Sequence, residues 1–168
     1  MKISVFCSGG IQKNTDREDK LCWASNDRAR LCEGAPGYDI VFLNPDDPLK
    51  SADNGIALFG GDMYQVSLAD FVVMDLRQRR GIGVGVEMMA AKMMGKPVVG
   101  VLPPGSHYRQ ENVTFRGAMA KHYIHPHLAG VLDGHVDDFY QAGEWLAAFL
   151  SQGCKAKGSE VLDESIAA

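Results

Sequence analysis

The chain has 168 residues, with Lys+Arg 17 against Asp+Glu 21, a net charge of −4, 46% hydrophobic and 23% charged residues. That length fits one domain able to bury most of its apolar surface, and charge spread without a basic excess excludes a field suited to a nucleic-acid backbone. No apolar run approaches the roughly 20 residues of a membrane helix, so the expected partner is a small molecule.

Cys7, Cys22, Cys32 and Cys154 are scattered, with no Cys-x-x-Cys pair. With no leader segment ahead of the first strand, this pattern predicts free thiols and a cytoplasmic protein. Ile3 to Cys7 is a β-branched and aromatic run, read as a central strand followed by a loop over Ser8 to Asn14. Gly9 and Gly10 in that loop permit positive φ and close approach of a ligand. Cys7 at the strand end is either a reactive thiol or a small buried hydrophobe. Thr15 or Asp16 can cap a helix running to about Cys32, stopped by Gly34-Ala35-Pro36-Gly37. Asp39 to Leu43 is the second strand. At its carboxyl end, Asp46 and Asp47 serve either as turn residues beside proline or as hydrogen-bonding groups for a ligand.

Asn54 to Leu68 reads as a helix interrupted by Gly60-Gly61, at a cost of roughly 1 kcal/mol per glycine relative to alanine. Asp62 follows directly, as a solvated helix-face carboxylate or a site residue. Phe71 to Met74 and Val98 to Val101 are continuous apolar runs, as in parallel strands covered on both faces. Between them, Gly81-Ile82-Gly83-Val84-Gly85-Val86-Glu87 opens a helix that Gly95-Lys96-Pro97 stops.

A helix starting past the carboxyl end of such a strand points unpaired N–H groups and a positive dipole end into the ligand crevice of an open α/β sheet. Glu87 falls in the opening turn on this reading, where the dipole favours an ionised carboxylate suited to a nucleophile. The plain alternative is the general preference for acidic first turns. The loop Leu76-Arg77-Gln78-Arg79-Arg80-Gly81 is the most basic short segment, and it reads as a phosphate site or as a solvated loop.

Pro103 to Arg109 is a turn-rich loop whose Ser106, His107 and Arg109 could meet a phosphate. His122, His125 and His127, with Asp133 and His135, supply no closed zinc set, so they read as packing or interface histidines and no metal is expected. Val136 to Leu150 is an amphipathic helix with Phe139, Ala142, Gly143 and Leu146 on one face. Together these elements predict a single domain over 1–150, with 151–168 as a tail. Its architecture is an α/β three-layer sandwich, Rossmann-like, with a mostly parallel five-stranded sheet in the flavodoxin-like order 2-1-3-4-5. The fifth strand is placed at Tyr123-Ile124 or near Val131.

Five segments together resemble the nucleoside 2-deoxyribosyltransferase family, which includes the 2'-deoxynucleoside 5'-monophosphate N-hydrolases. They are Val5-Phe6-Cys7-Ser8-Gly9-Gly10, Asp62, Ala69-Asp70-Phe71-Val72-Val73, Gly83-Val84-Gly85-Val86-Glu87 and Gly95-Lys96-Pro97-Val98-Val99. The likeness runs over roughly residues 2 to 104. It implies Glu87 as nucleophile, Asp62 as the group that orients or protonates the base, and Cys7, Ser8 and Gly9 as a cradle for sugar or base. It also implies at least a dimer, with a neighbouring chain near the Ser106 loop, and no cofactor.

Relatives acting on free nucleosides usually carry an aspartate six residues before the nucleophile. Here that place is Gly81, beside Arg79 and Arg80. Exchanging a carboxylate for glycine and arginines removes repulsion toward phosphate and adds attraction. With the N–H groups near Gly83 and Gly85, and Ser106, this favours a monophosphate.

The expected activity is cleavage of the N-glycosidic bond of a 2'-deoxynucleoside 5'-monophosphate, or nucleoside, through a glutamyl-deoxyribosyl intermediate, with water as acceptor. The alternatives are base exchange between free deoxynucleosides and a non-catalytic nucleotide-binding module.

Overall fold

The computed structural model describes residues 1–11, 19–45, 53–154 and 156. The apolar runs form parallel strands, β1 (Lys2–Ser8), β2 (Asp39–Leu43), β3 (Phe71–Asp75) and β4 (Val98–Val101), and β7 (Gly134–Val136) adds a fifth at the far edge. They make one five-stranded sheet in the order β2-β1-β3-β4-β7, with every neighbouring pair parallel. This is the flavodoxin-like order. The helices are α1 (Ser25–Gly34), α2 (Gly55–Leu68), α3 (Ile82–Met93), α4 (Pro126–Val131) and α5 (Phe139–Ser151). β5 (Arg109–Phe115) and β6 (Ala118–Ile124) form a separate antiparallel hairpin. Among the described residues no helix is long and apolar enough to cross a membrane.

Strand alternation sends successive side chains to opposite faces of the sheet. Phe6, Val72, Met74 and Val98 pack with Val66, Val84, Met88 and Leu128, from α2, α3 and α4. Ile3, Val5, Phe71, Val73, Val99 and Val101 pack on the other side with Leu31, Phe139, Ala142 and Leu146, from α1 and α5. β3 is buried along its whole length, which places its carboxyl end at the middle of the sheet's upper edge.

Two polar staples hold the lower edge. The Asp70 carboxylate accepts hydrogen bonds from Ser4 N at 2.7 Å and Ser4 Oγ at 2.8 Å. Lys92 Nζ meets both oxygens of the buried Asp133 at 2.8 Å, and Asp133 Oδ2 also accepts from Val98 N at 2.7 Å. Asp70, part of the motif that carried the family resemblance, is therefore a strand tie at the end of the sheet away from Glu87.

Several expected boundaries move. The first helix begins at Ser25 and residues 19–24 are not helical. Trp23 holds that segment against the sheet, its indole N–H donating to Ser8 O at 3.0 Å and its ring 4.5 Å from Phe139. Asp27 then serves the helix start by accepting from Ala24 N. The fifth strand is β7, whereas Tyr123 and Ile124 belong to the hairpin, closed by Arg116 and Gly117 at φ of 51° and 79°. Two successive positive φ values make the tight turn that twisted hairpins favour. α2 runs through Gly60-Gly61 unbroken, with Asn54 Oδ1 accepting from Ala57 N. Val136 lies in β7, and α5 starts after Asp138, whose side chain accepts from Gln141 N. Thr15, Asp16, Asp46, Asp47 and residues 157–168 lie outside the described residues.

Candidate active site

The carboxyl ends of β1 and β3 and the first turns of α3 meet at the top of the sheet. Ser8, the last residue of β1, is fully buried, and its Oγ donates to Glu87 Oε2 at 2.6 Å. Glu87 is 8% exposed. Because α3 begins at Ile82, Glu87 stands in its second turn, and the first turn holds no acidic residue.

The expectation of a firmly ionised carboxylate fails on this point, since the dipole effect fades beyond the first turn. Burial pushes the Glu87 pKa from 4.5 to about 7, the Ser8 hydrogen bond opposes that rise, and the negative charge of Asp62 adds to it. Asp62 on α2 is thus within electrostatic reach of Glu87. Near neutral pH Glu87 is therefore present in both its protonated and its ionised form.

Glycines surround this carboxylate for two different reasons. A Cβ at Gly81, Gly83 or Gly85 would meet nothing within 4 Å, so the start of α3 is an open surface. Gly9 and Gly10 are crowded instead. A Cβ on Gly9 would sit 2.8 Å from the Trp23 ring, and one on Gly10 would sit 2.7 Å from Arg80 Nη1. At Gly9 and Gly10 the side chains of Trp23 and Arg80 leave no room for a Cβ.

Cys7 points away from Glu87. Next to Ser8 on β1, it faces α1, where Arg28 is its charged neighbour, and burial pushes its pKa to about 12. It is a thiol at any physiological pH and lies on the wrong face to touch an atom bound at Glu87. It does line a narrow cleft at the ends of β1 and β2 with Gly9, Gly10, Trp23, Asn44 and Pro45.

The arginines divide. Arg77 bridges Asp75 and Asp27, with Nε 2.9 Å from Asp75 Oδ1 and Nη2 2.9 Å from Asp27 Oδ2. Arg80, expected at a phosphate, is turned inward. Its side chain is 3% exposed, with Nη2 2.6 Å from Asp75 Oδ2, Nη1 donating to Leu21 O and Nε to Asp75 O. Arg80 thus joins Arg77 on the buried Asp75 carboxylate, which gives the buried guanidinium its counter-charge. Arg79 is exposed at the loop tip. Ser106 is buried in the loop after β4, and its Oγ has no hydrogen-bond partner.

Sequence reasoning missed Trp23, Asp75 and Tyr108. Tyr108 Oη accepts from Arg80 N at 2.7 Å, tying the loop after β4 to the segment that leads into α3. Asp75 and Arg80 are close enough in sequence that their pairing could have been read from it. The other two contacts are long-range. Among the described residues no group of three His, Cys, Asp or Glu side chains could hold a metal ion.

No protein-family model matches the chain, and no curated protein matches it either. Solved structures do. A 2-deoxyribosyltransferase from Leishmania mexicana is similar over 89% of this chain and 97% of its own, at 17% identity and a TM-score of 0.58. A 2-deoxyribosyltransferase from Bacillus psychrosaccharolyticus is similar over 83% of this chain and 90% of its own, at 16% identity and a TM-score of 0.52. The chain has the fold of the 2-deoxyribosyltransferases.

Proposed function

We propose that the chain is an enzyme of the nucleoside 2-deoxyribosyltransferase family that cleaves the N-glycosidic bond of a 2'-deoxynucleoside 5'-monophosphate, with Glu87 as nucleophile and water as acceptor. The observation that carries this reading is the buried Glu87 carboxyl, held by Ser8 at 2.6 Å and felt by the Asp62 charge, at the carboxyl edge of a parallel sheet.

Breaking the bond builds positive charge on the sugar ring and negative charge on the departing base. A carboxylate at the anomeric carbon answers the first, and a proton on the base answers the second. Glu87, ionised, attacks the anomeric carbon and forms an ester. Asp62 delivers the proton to the leaving base. Water then opens the ester, losing a proton to the carboxylate that acted as acid.

The open start of α3, with its free glycine surface and dipole, suits an anion such as a 5'-phosphate. Exposed Arg79 and the unpartnered Ser106 hydroxyl favour the same ligand. A second reading, base exchange between free deoxynucleosides, gains from the inward commitment of Arg80, which leaves one cation fewer for phosphate.

The outer faces of α2 and α3 support self-association. Ile56, Phe59, Tyr64, Leu68, Ile82, Val86 and Met93 are exposed large hydrophobics on these two helices, and Met94 follows directly after α3, a concentration that marks an interaction surface. A homodimer through this face would also screen the mouth of the site from water. Sedimentation is expected to find a dimer that Ile82→Glu weakens.

The test is chromatography of the bases released from deoxynucleosides and their 5'-monophosphates, with and without a second free base. Release from monophosphates without exchange is the expected result, and exchange among free nucleosides would establish the second reading. Glu87→Gln is expected to lower turnover on the order of 10³-fold or more while the chain stays folded.

A further inference from the structure

Arg80 occupies a socket made by three separate stretches of chain. The Asp75 carboxylate lies 2.6 Å from Nη2, Asp75 O accepts from Nε, and Leu21 O accepts from Nη1 at 2.7 Å. Gly10 forms the floor, so close that a Cβ there would come 2.7 Å from Nη1. The Arg80 backbone is fixed as well, its N–H donating to Tyr108 Oη at 2.7 Å. The next residue, Gly81, is the N-cap of α3.

These contacts connect the two sides of the Ser8–Glu87 pair. Gly10 belongs to the loop that leaves β1 directly after Ser8, and Arg80 leads into the helix that carries Glu87. We infer that Arg80 is a positioning residue: its guanidinium, seated on Gly10 and neutralised by Asp75, ties the loop after Ser8 to the start of α3 and so keeps Ser8 and Glu87 at hydrogen-bond distance. This rests on the reading of Glu87 as nucleophile and adds to it a residue that touches no substrate.

The fork geometry is what does this. A guanidinium bonds Asp75 and Leu21 at once, whereas a lysine ammonium keeps the charge but cannot span both directions in a plane. A nucleophile displaced by about 1 Å can lose on the order of 100-fold in rate, so loosening the tie should reach turnover before it reaches substrate binding.

The test compares the full-length protein with Arg80→Lys, Gly10→Ala and Tyr108→Phe. It reads steady-state base release and, independently of turnover, the titration of the Glu87 carboxyl by carbon-13 NMR of glutamate-labelled protein, assigned with Glu87→Gln. Arg80→Lys is expected to lower kcat by roughly 10- to 100-fold with KM little changed. Its Glu87 titration should move to higher pH, because the Ser8 hydrogen bond opposes protonation in the wild type. Gly10→Ala crowds the guanidinium from the far side and is expected to give the same pattern, which keeps the test decisive if Arg80→Lys does not fold. Tyr108→Phe should give a weaker version.

An unchanged Glu87 titration in folded Arg80→Lys or Gly10→Ala would overturn the inference. So would a raised KM for monophosphates alone with kcat intact, which would make Arg80 a phosphate ligand. If the wild type releases no base from any substrate, the proposed function fails, while the titration still decides whether Arg80 positions Glu87.

Discussion

On the face of the sheet covered by α1 and α5, Gly34 and Gly143 let two helices touch backbone to backbone. A Cβ on Gly34 would lie 1.9 Å from Tyr140 O, and one on Gly143 would lie 2.2 Å from Leu31 O. Phe71, Trp145 and Phe149 complete that side with edge and tilted ring contacts at 5.0–6.5 Å. On the opposite face, Gly55 and Gly60 of α2 and Gly83 and Gly85 of α3 meet nothing within 4 Å. The same residue thus serves closure on one side and openness on the other. Both faces hold a hydrophobic core, and the open one also carries the buried carboxylate and the exposed apolar surface.

The largest effect expected of this contrast is at Gly143. Gly143→Ala forces a methyl into backbone, and overpacking of that kind costs about 3 kcal/mol, lowering Tm by about 6–12 °C in thermal unfolding. A Gly143→Ala protein as stable as the wild type would mean that α1 and α5 do not touch backbone to backbone.

Glu87 gives the next largest effect. Its folded-state pKa is raised from 4.5 to about 7, so the folded chain holds this proton more tightly than the unfolded chain does. The resulting stability is fully present below pH 4.5 and is lost as pH rises through about 7. Glutamine has no proton to lose. Glu87→Gln is therefore expected to be more stable than the wild type at pH 8, by about 1–3 kcal/mol, with the difference shrinking toward pH 4.5. Denaturant unfolding at the two pH values measures it, and an equal difference at both would sharpen the view toward a carboxylate that is not desolvated.

The smallest effect is at Gly60, on the open side of α2. Gly60→Ala meets no atoms, so the change is expected to stabilise the helix by about 0.5–1 kcal/mol, raising Tm by about 2 °C. Destabilisation there would mean that the open face is already occupied in solution, as by a second copy.

Local signals made much of this fold readable. Asp39–Leu43 is an apolar run between turn residues, Asn54 caps α2 as its side chain suggests, and Phe139, Ala142, Gly143 and Leu146 fall on the buried face that helical spacing assigns them. β7 escaped because three residues, Gly134–Val136, carry no pattern of their own and become a strand only by pairing with β4. The start of α1 escaped because Trp23 is held by Ser8 O and Phe139, both distant in sequence.

At the site, Glu87, Ser8 and Asp62 stand out in the sequence through their motifs, but the hydrogen bond from Ser8 to Glu87, 79 residues apart in the chain, does not. The state of Glu87 was not, since its pKa depends on burial that no motif records. Arg79 and Arg80 are adjacent and look alike in sequence. One is exposed and the other is locked between Asp75, Leu21 and Gly10, a difference decided entirely by the tertiary fold.

In the proposed mechanism Glu87 forms the bond to the sugar. The most direct measurement is intact-protein and peptide mass spectrometry after a rapid quench with a 2'-fluoro-2'-deoxynucleoside 5'-monophosphate, whose electronegative fluorine slows opening of the ester. One base released per active chain and a sugar phosphate mass on the peptide containing Glu87 are expected, both absent in Glu87→Gln. Base released with no sugar on the protein, or with the sugar on another residue, would contradict it.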